Sequence, residues 1–432
     1  MSLTGIISAI GNNSSVYPLI VRDCGIEVPT KVAMTYNQNL KDSKQMANNA
    51  LRERLIDEYG TSIVWLGGIP LMNKLGDWII KKLGYDPGVN VSLLKEDSKQ
   101  GLKYNIEKFK NLAPDEVKAM EKVLKNKSTY QKLLAGKFIL STSIPVAVMG
   151  YFLPKANFAL TAKLKKKQEA VKPIVQDTYE TEGVNIITFA SSPSLSFKGV
   201  NVNQPLVSSP SLSFKGVSAS LANMSTVNKM ALTDGGLTVG RVGTARNKYE
   251  ALENGFKMSM MMFLNFVAPI WIAKGLDSLS GKLFNTNVNL DPNLLDDKAF
   301  LKEIKESTLN IPENNFIEYL DKNPDSKISK LCEKYCGVKY LKNRVRDPRE
   351  FVDEKKIGNF LDEVRKFARD AKASNNVEKY AKKALRVKSA NILANVGISS
   401  FLLAMVLPKV TFILRKKVTG SDAEPGLMTK QA

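Results

Sequence analysis

The sequence predicts a mainly α-helical protein made of two similar halves, each a helical hairpin of apolar runs with a polar helical insert. Outside one central segment no alternating strand pattern of convincing length occurs, whereas apolar residues recur at helical spacing. The last apolar run of each half carries the motif Leu-Pro-Lys-x-x-Phe and ends in a basic tail. We therefore expect an internal duplication.

The recurrence divides the chain into five regions. The segments Asp-Cys-Gly-Ile-Glu-Val, from Asp23, and Asp-Gly-Gly-Leu-Thr-Val, from Asp234, precede the two sets of apolar runs. The predicted regions are an N-terminal segment at 1–16, a first helical repeat at 17–170, a flexible linker at 171–227, a second helical repeat at 228–420 and a tail at 421–432.

The polar parts of both halves carry helix-start signals. A proline follows Ala113 and another follows Asp347, and acidic residues stand close by, so we expect helices to begin at both places, with Asp347 as a cap. Asp23 and Asp234 are also interpreted as helix caps.

The composition excludes several classes of site. The chain carries 63 basic and 42 acidic residues, a net charge of +21, and 51 of the basic residues are lysine. Such a surface attracts polyanions, but lysine lacks the fork geometry that arginine uses on base edges, so anionic lipid headgroups are favoured over nucleic acid. The chain has no histidine, which excludes serine–histidine and cysteine–histidine catalysis. We expect no enzyme and no cofactor.

Four apolar runs raise the question of a membrane. Two of them are long enough to span a bilayer core of about 30 Å, and two are marginal alone. The long runs are residues 138–160 and 390–414, with Lys155 and Lys409 as their single charges, and the shorter runs are residues 63–72 and 258–273.

Charge placement predicts how the runs cross. Both long runs end in basic tails, which the positive-inside tendency places in the cytoplasm. Two spans that point the same way need an odd number of crossings between them, so the run at 258–273 should cross and, by the duplication, so should the run at 63–72. The prediction is four spans in a bacterial inner membrane, with tails and linker cytoplasmic. Peripheral attachment and a soluble protein with apolar core helices stay open.

Both halves place a lysine and an aspartate three residues apart after the first apolar run, namely Lys74 with Asp77 and Lys274 with Asp277. At this spacing we expect intrahelical ion pairs. Ionisable pairs near a membrane are candidate functional sites. Because each pair lies at the end of a run, interfacial anchoring is favoured over a translocation pathway, and Lys155 and Lys409 are expected to reach the headgroups.

Two further motifs receive structural interpretations. The segment GGLTVGRVGT lacks the Gly-Lys-Ser/Thr ending of a phosphate loop, and close helix packing through Gly236, Gly240 and Gly243 is favoured. Cys332 and Cys336 lie one helical turn apart, but without histidine or a second cysteine pair they lack the ligands of a zinc site and are interpreted as ordinary thiols.

The decapeptide SSPSLSFKGV occurs twice in the linker, from Ser191 and from Ser208. Each copy offers one aromatic and one basic side chain for docking to another protein, and a linker duplication without a role is the alternative. The candidate docking residues are Phe197, Lys198, Phe214 and Lys215.

The paired SFKG segments, the stretch DGGLTVGRVGTARNKYEALENGFKM, the RDPREFVD segment and the LPK-containing final helix resemble a family of bacterial proteins from a gut lineage related to cyanobacteria. The similarity covers most of the second half and, more faintly, the first. That family has no assigned activity, so the resemblance implies membrane association and lineage rather than a reaction.

The sequence thus predicts an integral or membrane-associated helical protein of structural or interaction type. A small transporter or channel that uses the Lys/Asp pairs is the alternative from another class.

Overall fold

The computed structural model describes residues 2–12, 15–40, 44–94, 100–153, 156–157, 159–160, 163, 224–243, 245 and 247–420. Over these residues the chain forms helices and no strand, apart from one isolated bridge between Tyr340 and Arg346. The prediction of a mainly α-helical protein is confirmed. Lys155, both SSPSLSFKGV copies and the tail from residue 421 lie outside the described residues.

The first half and the segment before it contribute eight α-helices to the described structure. They are α1 (Leu3–Gly11), α2 (Tyr17–Arg22), α3 (Val28–Leu40), α4 (Lys44–Ile63), α5 (Ile69–Lys82), α6 (Leu102–Phe109), α7 (Pro114–Lys125) and α8 (Lys127–Ala147).

In the described structure the second half follows with five longer helices, four short helices and one amphipathic helix. They are α9 (Thr226–Gly243), α10 (Lys248–Met262), α11 (Ala268–Phe284), α12 (Pro292–Leu295), α13 (Lys298–Glu306), α14 (Phe316–Lys322), α15 (Lys327–Leu331), α16 (Glu354–Ala373), α17 (Val377–Phe401) and α18 (Leu407–Thr419).

Prolines inside the long helices are accommodated by π-turns. A π-turn ends two residues before each of Pro29, Pro70, Pro269 and Pro408, and the helix continues through it. Proline has no N–H and its ring crowds the carbonyl four residues earlier, so a wider turn at that place lets the helix go on. Thus α4 with α5, α10 with α11, and α17 with α18 are continuous bulged helices.

A buried arginine satisfies one backbone group that this arrangement leaves without a helical donor. Pro269 has no N–H for the carbonyl of Asn265, and the Arg22 guanidinium donates a hydrogen bond to that oxygen at 3.2 Å. Arg22 is itself 3% exposed, and its Nε donates to the carbonyl of Pro18. A freed carbonyl in an apolar bundle costs several kcal/mol unless such a donor is present, so α2 is tied to the second half.

The long helices pack as antiparallel pairs within each half and meet at a shared core. In the first half α3 lies on α4 and α5 lies on α8; in the second, α9 lies on α10 and α11 lies on α17. The shared core combines side chains of both halves around Trp65, which forms an edge-to-face contact with Phe266 and donates to the carbonyl of Met230 at 3.4 Å.

Three helices are long and apolar enough to cross a membrane, by length and composition, among the described residues. They are Lys127–Phe152, Lys248–Phe284 and Val377–Thr419. The predicted run at 258–273 therefore lies in a helix of spanning length. The run at 63–72 is part of the bulged α4–α5 helix, which does not meet the same criterion. Its crossing, and the four-span arrangement, stay predictions.

The polar inserts of the two halves pack against each other. We call residues 83–126 and 285–376, as far as they are described, the insert module. Phe109, Ala113 and Val117 of the first insert form a cluster with Leu341 and Val345 of the second. This contact places both inserts at one end of the helix bundle.

The RDPREFVD segment of the second insert makes most of the polar contacts between the two inserts. Gln100 and Val352 exchange two hydrogen bonds at 2.8 and 2.9 Å, since the Gln100 amide both donates to and accepts from the Val352 backbone. Arg349 binds Asp347 through two nitrogens and reaches Asp86 of the first insert at 2.8 Å. The hydrogen bonds to Asp347, and to a lesser extent the one to Asp86, raise the pKa of the Arg349 guanidinium above its usual range.

Helix starts were predicted with mixed success. A helix does begin at Pro114, with Asp115 and Glu116 in its first turn. The predicted caps Asp23, Asp234 and Asp347 are wrong. Asp23 opens a π-turn inside a continuing helix, Asp234 lies inside α9, and Asp347 binds Arg349 in an irregular segment, while Asp353 caps α16. Asp23 and Asp234 do not stand at a helix start because the helix runs through both, and the Asp347 carboxylate binds Arg349 instead of a helix N-terminus.

The glycine-rich segment is helical, as the packing interpretation requires. It lies in α9, where a Cβ at Gly236 would stand 3.6 Å from a Val146 methyl of α8 and one at Gly235 would stand 3.7 Å from Met262. At Gly240 and Gly243 nothing lies within 4 Å. Close packing therefore involves the first glycines of the segment only.

Candidate functional site

Each predicted aspartate forms an ion pair across two helices instead of along its own helix. Asp77 of α5 binds Lys137 of α8, 60 residues further along the chain. No ion pair joins Asp77 to Lys74, whose side chain is exposed. The predicted i,i+3 pair is wrong, because a lysine of the neighbouring helix reaches the carboxylate.

In the second half Asp277 has more partners than Asp77 has in the first. Asp277 of α11 accepts hydrogen bonds from Lys388 at 2.5 Å and from Asn391 at 2.8 Å, both on α17. The Asn391 amide also donates to Ser280 at 2.7 Å. Lys274 is exposed and does not pair with Asp277 among the described contacts, so this i,i+3 pair is wrong as well.

Beside Asp277 a cleft of about 1600 Å³ opens between the end of α11, the end of α16 and the start of α17. Asp277, Ser278 and Gly281 line it on the α11 side, and residues 285–289, which follow α11, line it as well. Asn285 turns the chain with a left-handed φ of 46° as the helix ends. The cleft therefore lies where the apolar helices meet the insert module.

The cleft carries an excess of positive charge that the protein does not neutralise. Three acidic side chains line it, namely Asp277, Asp370 and Glu378. Six of the basic side chains that line it have no acidic partner within 4 Å among the described residues, and these are Lys274, Lys282, Lys366, Lys379, Lys382 and Arg386. The seventh basic side chain of the lining, Lys383, donates a hydrogen bond to the carbonyl of Phe284 at 2.6 Å. Lys388 lies outside the lining and binds Asp277.

Sequence reasoning missed this cleft although a signal was present. Lys379, Lys382 and Arg386 are spaced three and four apart, which puts them on one face of α17. That spacing usually indicates a solvated helix face, and nothing in the sequence shows that α11 and α16 stand opposite it. Of the predicted site residues, Lys274 and Asp277 line the cleft, and Lys409 lies exposed on α18.

A second set of charges is buried in the first half between α3 and α4. The Lys31 ammonium lies 2.6 Å from Glu27 and 3.7 Å from Glu58, and Arg54 pairs with Glu58 at 2.5 Å. The Glu27 side chain is 2% exposed and its second carboxylate oxygen has no hydrogen-bond partner. The sequence alone does not indicate that these charges are buried, because nothing local shows that α3 packs on α4.

The two neighbouring cysteines form a π-turn that ends α15. Both are free thiols and both are buried. The hydrogen bond between them raises the pKa of Cys332 above its ordinary value and lowers that of Cys336. Among the described residues no group of three or more Cys, Asp or Glu side chains could hold a metal ion.

Comparison with protein-family models, with curated proteins and with solved structures finds no match for this chain. What it does must therefore be inferred from the helices, the insert module and the cleft themselves.

Proposed function

We propose that this chain is an integral membrane protein of structural or interaction type, whose helix bundle is embedded in the bilayer and whose insert module stands on one side. One observation carries the proposal. Only 28 to 33% of each apolar window in the three long helices is buried inside the protein. A core helix of a soluble protein buries its apolar residues, whereas a membrane helix exposes them to lipid.

The exposed side chains are large and lie along the helices rather than at scattered points. Trp271 is 63% exposed, Phe401 57% and Ile139 59%, each on a different candidate span. Leu71 and Trp78 on the α4–α5 helix are exposed as well. Apolar surface of this extent would make a soluble protein aggregate. It supports embedding of α5 beside the three candidate spans, as the predicted duplication requires.

The insert module supports one particular arrangement of the spans. Lys127 follows the first insert, Phe284 precedes the second, and Val377 follows it, so the three candidate spans meet the module with alternating chain direction. The module sequence is nearly neutral, with 26 basic and 24 acidic residues, whereas residues 153–247 carry 11 basic and 5 acidic ones. The positive-inside tendency then favours a cytoplasmic linker and a module on the opposite face.

The ion pairs support anchoring rather than translocation. Asp77 and Asp277 lie near the module end of their helices, and each is held by a lysine of the neighbouring helix. Such fixed pairs lock two helix ends together. We propose no catalytic role for them, and we propose that the chain belongs to the bacterial lineage whose sequences it resembles.

The test combines extraction with labelling from one side. Alkaline carbonate should leave the protein in the membrane fraction, and complete release would contradict the proposal. A membrane-impermeant maleimide added to intact spheroplasts should label Asn314→Cys in the module and not Val418→Cys at the end of α18, since both positions are exposed. Labelling of Val418→Cys alone would reverse the orientation, and labelling of both would contradict a crossing of the membrane by the helix Val377–Thr419.

A small transporter is the second candidate, and the buried charges between α3 and α4 favour it. Intramembrane ionisable groups are costly and often mark ion pathways, and one Glu27 oxygen has no partner. Cation flux into vesicles that hold the purified chain tests this candidate. Flux that Glu27→Gln abolishes, with the protein still folded, would favour transport over a structural role.

A further inference from the structure

The cleft between α11, α16 and α17 is lined by more basic than acidic side chains, so the described residues do not neutralise its positive charge. Proteins usually pair or solvate their charged groups, and six unpaired cations around one cavity of about 1600 Å³ create a concentrated positive potential. Three carboxylates reduce this potential but do not balance it, because Asp277 is already held by Lys388 and Asn391. The cleft is therefore complementary to an anion.

The position of the cleft narrows the kind of anion. On α17 the basic residues end at Lys388 and the apolar run begins at Ala390, so the cleft lies at the polar boundary of the embedded helices. Leu279 and Leu283 are 67% and 73% exposed. They lie on the same last turns of α11 whose other residues line the cleft. A ligand that fits this setting has a negative headgroup and an apolar remainder.

The type of basic residue fits a phosphodiester. Five of the six unpaired cations are lysines, which act as mobile point charges toward phosphate and do not require bidentate geometry. Basic pockets beside membrane helices bind anionic lipid headgroups by this chemistry. The volume exceeds the roughly 300–1,000 Å³ of an ordinary small-molecule pocket, which leaves room for a hydrated headgroup.

We propose that this cleft binds the headgroup of an acidic phospholipid, with the acyl chains along the exposed apolar side of α11. The inference rests on the proposed membrane embedding and deepens it by naming a partner and its site. Bound lipid joins the cleft side of the insert module to the bilayer surface, where Asp277 and Lys388 already fasten α11 to α17.

The test uses the full-length chain in lipid nanodiscs and measures how many phosphatidylglycerol molecules it retains against phosphatidylcholine. The cleft variant combines Lys379→Gln, Lys382→Gln and Arg386→Gln. Lys383 and Lys388 are left intact because they make structural contacts. The control variant combines Lys302→Gln, Lys305→Gln and Lys355→Gln, which removes the same charge from exposed module positions outside the cleft.

We expect the wild-type protein to prefer phosphatidylglycerol, the cleft variant to lose about tenfold or more in apparent affinity, and the control to change less than about twofold. Equal losses in both variants would overturn the proposal, since they would indicate attraction by net charge. Displacement of the lipid by an equal concentration of inorganic phosphate would also overturn it, because the site would then recognise the anion alone.

The same preparation separates this proposal from the membrane assignment. Carbonate resistance of the wild-type chain in both phosphatidylcholine and phosphatidylglycerol vesicles supports embedding. Resistance in both without a preference for phosphatidylglycerol would overturn the cleft proposal only. Release from both vesicles would overturn the embedding and the cleft proposal together.

Discussion

Each half joins two helices through an aspartate–lysine ion pair, α5 to α8 in the first and α11 to α17 in the second, but the surroundings of the two pairs differ. Asp77 is 37% exposed in its side chain and binds one residue, Lys137. Asp277 is 17% exposed and binds both Lys388 and Asn391. The comparison teaches that an ion pair costs more to lose where burial and further partners leave its members no access to water.

The largest effect is expected for Asp277→Ala. The substitution leaves the Lys388 ammonium, 16% exposed, without its carboxylate and removes an acceptor from the Asn391 amide. Breaking a mostly buried pair in this way costs about 3 kcal/mol of unfolding free energy. Thermal unfolding of the full chain in detergent measures it. A loss as small as that of an exposed pair would show that water already reaches Lys388.

Asp77→Ala is the matched change in the first half and should cost less. Asp77 is more than a third exposed, so solvent screens its interaction with Lys137, and we expect a loss of about 1 kcal/mol. The same detergent melt gives the comparison directly. If the two alanine variants lose equal stability, the difference in burial and partner number between the halves has no energetic meaning.

Two glycines next to these aspartates offer a sharper comparison. A Cβ at Gly76 would come within 2.6 Å of Cγ and 3.1 Å of Cβ of Lys137, close to that residue's own backbone, whereas nothing lies within 4 Å of a Cβ at Gly275. Gly76→Ala should therefore displace Lys137 and lower stability by about 1 kcal/mol despite the gain in helix propensity. Gly275→Ala should be neutral or stabilise by up to about 1 kcal/mol.

The control for this pair is the double variant Gly76→Ala with Asp77→Ala. Once the carboxylate is gone, displacement of Lys137 breaks no ion pair, so the glycine change should cost less in that background. An unchanged cost would show that the clash, and not the lost ion pair, determines the effect.

The sequence was sufficient for the helical class and for the apolar runs, because both depend on local periodicity and composition. The positions of Asp77 and Asp277 at helix ends also followed from where the apolar runs stop. Their partners did not, since Lys137 and Lys388 lie 60 and 111 residues away and only the packing of α5 on α8 and of α11 on α17 brings them near.

The contact between the inserts could not be predicted from the sequence either. The RDPREFVD segment carries an apparent helix start at Asp347, but Arg349 and the first insert compete for that carboxylate and its neighbours. An irregular segment therefore replaces the expected helix, and the helix begins only at Glu354. Local signals fail here because the deciding partners, Asp86 and Gln100, come from the other half of the chain.

The smallest effect is expected for the lysines that the sequence first placed in ion pairs. Lys74 and Lys274 are both exposed, and neither pairs with the aspartate three residues later. Lys74→Gln and Lys274→Gln should each change the unfolding free energy by less than about 0.5 kcal/mol.

The two lysines differ in one respect, since Lys274 lines the basic cleft and Lys74 has no such surroundings among the described residues. Lys274→Gln should thus reduce retention of phosphatidylglycerol in nanodiscs while stability stays unchanged, and Lys74→Gln should alter neither. A loss of stability in both variants would instead indicate that Lys74 and Lys274 do form ion pairs with Asp77 and Asp277.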